Sequence, residues 1–213
     1  MLLSSDQLLG FGLAAVVLIV IPGPSVVFTI SRAVVYGHRV ALASVVGNTA
    51  GLFLVMVLVA LGLGLVVAQS IVVFTVLKFA GAAYLVWLGI QAFRHRRQTQ
   101  VGDAAPQVAL SWRRAVRQGF VVGVSNPKSF MIFAAVLPPF VAADRGAIPL
   151  QMFLLGMMAV AIGLVCDSLW ALAAGRARDW FAGSPRRGHA LGAIGGSSMV
   201  ALGVGMALTG RHE

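Results

Sequence analysis

Apolar residues gather along this chain in six long stretches, at about 8–30, 40–67, 71–93, 120–141, 149–175 and 190–208, with shorter polar connections between them. Each reaches the roughly 20 residues a helix needs to cross about 30 Å of hydrocarbon. Lipid offers no water to backbone amides, so a spanning segment must satisfy its own hydrogen bonds, and the alternating period of barrel strands is absent. The stretches therefore predict helices. The first reads as a retained helix and not as a cleaved leader: residues 1–7 hold only Asp6, and the first arginine, Arg32, comes after the apolar run. The expected fold class is an all-α integral membrane protein with six transmembrane helices.

The polar positions orient those helices. The connections after helices one, three and five carry Arg32, Arg39, Arg94, Arg96, Arg97, Arg113, Arg114, Arg117, Arg176, Arg178, Arg186 and Arg187, while the opposite side holds Arg145 and Arg211. Under the positive-inside rule the arginine-rich connections face the cytoplasm and both termini lie outside. The longest connection, the basic linker 94–119, divides the chain into residues 1–93 and 120–213, each with three spans. Three is odd, so the second set enters the membrane with the opposite orientation, the inverted repeat of many secondary transporters. Pro22 and Pro127 each interrupt the first helix of a set, and Gly51 and Gly156 follow them at equal spacing. The segment Gly81-Ala-Ala-Tyr-Leu-Val-Trp-Leu-Gly89 matches residues 195–203 at both glycines, the valine and the leucine. That second match needs extra residues in the second half, which the arginine-rich loop at 176–187 supplies.

Composition strengthens the membrane reading. The chain has 213 residues, of which 59% are hydrophobic and 10% charged, with mean hydropathy +0.94. A soluble domain carries about 25% charged residues. The single cysteine, Cys166, excludes disulfide scaffolds, paired-cysteine redox motifs and cysteine-based zinc sites. A net charge of +10 suggests nucleic acid only where a folded domain presents a basic face. Here the charge lies between apolar stretches, so the expected partner is the lipid bilayer and no nucleic acid. All four histidines fall in connections or at the tail, and no HExxH motif, serine–histidine pair within a helix or glycine-rich phosphate loop appears. An enzyme has little to work with, and no cofactor is expected.

Two motifs carry candidate chemistry: Pro22-Gly23-Pro24 and Asn126-Pro127-Lys128. Proline in a membrane helix removes a hydrogen bond and frees a carbonyl. Pro22 and Pro127 lie at equal distance from Arg32 and Arg117, about 15 Å at 1.5 Å per residue, which puts both breaks near the bilayer midplane. Each motif also reads as the start of a half-helix, with Asn126 as N-cap and Pro127 in the first turn, and Gly23 and Pro24 in the same parts. Half-helix N-termini attract a carboxylate. The plainer alternative is two kinks that serve packing. Of the ionisable residues inside spans, Lys128 adjoins the second break and suits an anionic group, or a salt bridge to Asp167. Asp167 shares that depth and reads as a proton carrier, a partner for an ammonium group, or a static partner. Lys78 lies near the outer end of helix three and suits snorkelling to the surface. Asn48, between Gly47 and Gly51, is a packing residue by default and a candidate substrate contact. The pairs Gly119/Gly123 and Gly192/Gly196 have the spacing of close helix contacts, either internal or at a dimer seam.

Taken in order, Pro22-Gly23-Pro24, Gly37, Gly47, the 81–89 segment, and Asn126-Pro127-Lys128 with Leu137-Pro138 resemble the LysE/RhtB family of amino-acid exporters over nearly the whole chain. The resemblance implies a small six-helix protein of the bacterial inner membrane that exports amino acids, coupled to the proton gradient, with a homodimer among the allowed assemblies. Members that export basic amino acids tend to carry an acidic residue in helix two, where this chain reads Val45-Val46-Gly47-Asn48-Thr49. A cationic side chain needs a compensating anion in a low-dielectric site, and Asp167 alone faces two lysines. The expected substrate is therefore small and neutral: threonine, homoserine or a branched-chain type. Its carboxylate would meet Lys128 and the two half-helix N-termini, Asp167 would take the ammonium group or a proton, and the two three-helix sets would rock about the site. Rival readings keep the fold but carry another small metabolite or a metal ion, or make the chain a non-transporting partner subunit. A metal would find one carboxylate, one cysteine and no histidine in the helices.

Overall fold

The computed structural model describes residues 2–62 and 110–182, with 75, 76, 79, 80, 82–84, 86–88, 90, 200, 201 and 204. Helix is the regular structure throughout these residues. The first apolar stretch forms a broken span. Helix α1, Ser5–Val20, opens with a capping box: Gln7 N–H donates to Ser4 Oγ at 3.3 Å and Ser4 N–H to Gln7 Oε1 at 2.7 Å. The chain breaks at 21–23 and resumes as α2, Pro24–Tyr36, turned by 50°. A single residue, Gly37, joins α2 to α3, His38–Ala60. Gly37 closes α2 by donating its N–H to the Ala33 carbonyl and adopts φ +87°, a conformation that favours glycine.

The second half repeats the break. Helix α4, Trp112–Val124, gives way at Ser125 and Asn126 to α5, Pro127–Met131, and the two parts bend by 47°. The path continues through a π turn at Ile132–Val136 and a 3-10 turn at Pro138–Phe140. Helix α6, Ile148–Ala182, completes the described set. Two helical segments, α3 and Ile148–Arg178 of α6, are long and apolar enough to cross a membrane singly, and each bent pair reaches that length and apolarity when its two parts are taken together. These four match the first, second, fourth and fifth expected helices. The third and sixth, with Lys78, Gly192, Gly196 and most of the 81–89 and 195–203 segments, lie outside the described residues.

Two expectations need correction. The fourth helix begins at Trp112 and not near residue 120, so the last part of the 94–119 stretch is helical. Arg113, Arg114 and Arg117 are exposed while Ala115, Gln118, Gly119 and Val122 are buried. A search for apolar length starts too late on such an amphipathic entry. Arg32, assigned above to a connection, lies within α2 at 3% exposure.

Glycines set the packing of α3. A methyl group on Gly47 would overlap the Val116 carbonyl, one on Gly51 that of Phe120, one on Gly119 that of Ser44, and one on Gly123 that of Asn48. Gly119 and Gly123 thus serve an internal contact. Residue numbers rise together along this seam, so α3 and α4 run parallel. Since α2 and α3 form a hairpin at Gly37, the second broken span runs opposite to the first. Helix α6 crosses α3 in the antiparallel sense, with Gly156 against Met56 and Gly175 against His38. The end of α2, the starts of α3 and α4 and the end of α6 therefore meet at one end of the bundle. Exposed Arg39, Arg113, Arg114, Arg117 and Arg176 make that end basic.

The core is unequal about its middle. Towards the end opposite the arginines, Phe11, Met56, Phe133, Leu137 and Leu155 form one large apolar cluster. Towards the basic end, the core between α2, α3 and α6 is Ala33, Ala41, Val45 and Ala171. Fully buried Gln151 pins the turn at the far end, donating to the carbonyls of Ala142 at 2.9 Å and Gly146 at 2.7 Å and accepting from Ala142 N–H at 3.0 Å. Gln7 ties α1 to the same turn through the Phe140 carbonyl at 2.8 Å.

Candidate functional site

The two helix breaks face each other and are joined by a hydrogen bond. Asn126 performs two tasks. Its Oδ1 accepts the Lys128 N–H at 3.1 Å, capping α5, and its Nδ2 donates to Ser25 Oγ in the first turn of α2. Asn126 and Ser25 are both buried, at 7% and 8% exposure, and each is the other's side-chain partner across the break.

The two helix starts are not equivalent. Asn126 occupies the first free amide of α5, and Ser129 N–H turns back to the Asn126 carbonyl at 3.1 Å. Gly23, at the start of α2, has no capping side chain. Its small size instead admits Lys128, whose Cδ would lie 3.2 Å from a methyl group placed there. Lys128 Nζ reaches across the break and donates to the Ile21 carbonyl, freed where α1 stops. A cation at a helix C-terminus is also favoured by the helix dipole. Lys128 does not form the salt bridge to Asp167 that the sequence allowed; among the described residues, no ion pair joins them.

Asp167 pairs with Asn48. Asn48 Nδ2 donates to Asp167 Oδ2 at 2.8 Å, and the two residues are 4% and 5% exposed. Asn48 Oδ1 is buried with no hydrogen-bond partner among the described residues. Gly123 makes this placement feasible, because α4 approaches the Asn48 backbone closely enough that a methyl group would collide with it.

These groups line one cavity of about 50 Å³ open to the centres of water-sized molecules, room for several waters. Gly23, Asn48, Asn126, Lys128 and Asp167 line it, joined by Ser25 and Ser129, which the sequence reading had not singled out. Ile19, Leu52, Ile132 and Phe133 supply apolar wall. Pro22, Pro24 and Pro127 do not line it. They act through the backbone, by withholding N–H groups at the breaks. A spacing signal for Ser25 was available, since it follows Pro24 directly and falls one turn before Thr29 on the same face.

The cavity thus has two chemically different walls. One offers the Lys128 ammonium and the uncapped start of α2. The other offers the Asp167 carboxylate and the unpartnered Asn48 carbonyl. Such an arrangement fits a zwitterion, with carboxylate to the first wall and ammonium to the second.

A family model for LysE type translocators matches residues 16–210. The chain is 33% identical over 191 residues to the homoserine/homoserine lactone efflux protein of Salmonella typhimurium, covering 90% of each chain. It is 30% identical over 133 residues to the threonine efflux protein of Escherichia coli, covering 62% of this chain and 65% of that one. An uncharacterised membrane protein of Vibrio cholerae is 38% identical over 167 residues, covering 78% of this chain and 80% of its own. No solved structure matches.

Proposed function

The chain belongs to the LysE-type translocator family, whose members are membrane transporters and not enzymes, and from that premise we propose that it exports small neutral α-amino acids of the threonine and homoserine type across the inner membrane. The observation that carries this reading is the single cavity lined both by Lys128 and by the hydrogen-bonded Asn48 and Asp167. The names of the Salmonella and Escherichia relatives support the same substrate class.

In this reading the substrate carboxylate draws Lys128 Nζ from the Ile21 carbonyl, since a charged acceptor makes the stronger hydrogen bond. It also takes the free N–H groups at the start of α2. The ammonium group docks on Asn48 Oδ1 and Asp167. A cationic side chain would add a second positive charge beside Lys128, with Asp167 the one carboxylate lining the cavity among the described residues. Homoserine lactone has no free carboxylate, so it is the poorer substrate.

Transport proceeds by alternating access, with two inverted three-helix sets moving about the cavity. The opposed directions of the two broken spans support that symmetry. The basic end faces the cytoplasm, in accordance with the positive-inside rule. Asp167 couples the cycle to an inward proton, which it accepts when the substrate ammonium leaves.

The test is uptake of a labelled amino-acid panel into inside-out vesicles, where export appears as uptake. Threonine and homoserine should accumulate when the lumen is acidic and stop accumulating when the gradient is collapsed. Arginine uptake equal to threonine uptake would overturn the neutral-substrate reading. Accumulation indifferent to the gradient would remove proton coupling.

A further inference from the structure

Helix α2 carries a line of polar groups that leads out of the cavity. Ser25, Thr29, Arg32 and Tyr36 follow one another at spacings of four, three and four residues, so they form a single stripe along one face. The stripe runs from the cavity, which Ser25 lines, towards the basic end. Thr29 is 0% exposed and its hydroxyl has no hydrogen-bond partner among the described residues.

Arg32 is the unusual member. At 3% exposure it is enclosed by protein and is not snorkelling to a headgroup. Its guanidinium carbon lies 5.0 Å from the ring centre of Phe28 and 5.2 Å from that of Tyr36. Both rings lie within cation–π reach of the guanidinium. One edge is left over: Nε and Nη2 are both buried with no hydrogen-bond partner among the described residues. Those two atoms flank one side of the guanidinium and point their N–H bonds in parallel. That is the fork with which arginine grips a carboxylate bidentately. Buried donors on a charged group are costly to leave unpaired, so an unused fork marks a place where an anion belongs in another state.

We propose that the Nε–Nη2 edge of Arg32 is a second carboxylate-binding site on the cytoplasmic half of the transport path, where the amino acid docks before it enters the midplane cavity. The proposal rests on the export reading above. Seven residues of helix separate Arg32 from Ser25, about 10 Å. The free Thr29 hydroxyl lies between them as an intermediate hydrogen-bonding group. The core that α2 shares with α3 and α6 on this side is built mainly of alanines. A phosphate headgroup offers similar oxygens, but Arg32 is enclosed within the bundle, which favours a small free carboxylate.

The experiment compares Arg32→Gln and Arg32→Lys with wild type from both faces of the membrane. In inside-out vesicles Arg32→Gln should raise the half-saturating threonine concentration about tenfold or more, the loss expected for a charge-assisted pair. Arg32→Lys, which keeps the charge but loses the fork, should raise it less. In right-side-out vesicles, half-saturation for exchange should stay at the wild-type value. An unchanged cytoplasmic value, or equal rises at both faces, would overturn the proposal. If Arg32→Gln does not fold, wild-type protein in detergent gives a second reading. Threonine should slow phenylglyoxal modification of Arg32, mapped by peptide mass, and threoninol, which lacks the carboxylate, should not. Equal protection by both, or by neither, again overturns it. Wild-type vesicles that move no amino acid would defeat the export reading instead. The Arg32 site would then stand on protection by acetate and fall without it.

Discussion

The bond between the two helix breaks yields a sharp prediction. Asn126→Ala removes the cap on α5 and the donor to Ser25 in one step. Loss of an asparagine N-cap costs about 1 kcal/mol, and an interhelical hydrogen bond within a membrane protein is worth about 0.6 kcal/mol on average. The substitution should therefore destabilise the protein by about 1.5 kcal/mol in equilibrium unfolding from mixed micelles. Ser25→Ala should cost about 0.6 kcal/mol, because the cap survives. The double variant separates the two contributions. With no Ser25 hydroxyl left to lose, the second substitution should cost only the cap, giving a coupling energy near 0.6 kcal/mol. Asn126→Asp keeps the acceptor for Lys128 N–H and should retain most of the cap. Strict additivity of the two alanine variants, within about 0.3 kcal/mol, would refute the reading that this bond holds the breaks together. A full-sized loss in Asn126→Asp would refute the capping role.

Other expectations follow from the same geometry. Lys128→Ala should abolish threonine export while the protein remains folded in the membrane, since Lys128 bonds to the Ile21 carbonyl and not to a core partner; wild-type export by this variant would remove Lys128 from the site. Gly123→Ala should destabilise by about 1–3 kcal/mol through collision with the Asn48 backbone, and should weaken substrate binding by shifting Asn48. Gly163→Ala, which meets only Leu52 Cδ2 at 3.4 Å, should be neutral or slightly stabilising in the same unfolding assay. Gln151→Leu strands two carbonyls and an amide at the far end and should cost at least about 2 kcal/mol, read as a lowered thermal midpoint.

Much of this was legible in the sequence because local chemistry decides it. Proline and an asparagine cap break a helix wherever they stand, so both broken spans and the start of α5 at Pro127 follow from short motifs. Family membership was legible for the same reason, in an ordered set of glycines and prolines. The pairings were not. Asn48 and Asp167 stand 119 residues apart, and nothing local to either announces the other. Lys128 and Asp167 invited pairing by depth and charge, yet the nearer freed carbonyl of Ile21 takes the lysine. Arg32 looked like a loop arginine because charge near a span end is normally solvated, and only the packing of α2 reveals it as buried. The Gly119/Gly123 spacing foretold a close contact without saying against which helix.

The unequal core has an electrical consequence. Phe11, Met56, Phe133, Leu137 and Leu155 fill the half beyond the cavity with hydrocarbon, whereas the half towards the arginines has smaller apolar clusters with Thr29, Arg32 and Gln118 among them. Voltage falls mostly across the less polarisable material, so in the export reading proposed above the large apolar cluster takes the greater share of the drop. An elementary charge crossing the cluster meets most of the drop, about 2.3 kcal/mol per 100 mV. In that reading the step that parts the cluster responds to membrane voltage more strongly than loading from the basic end.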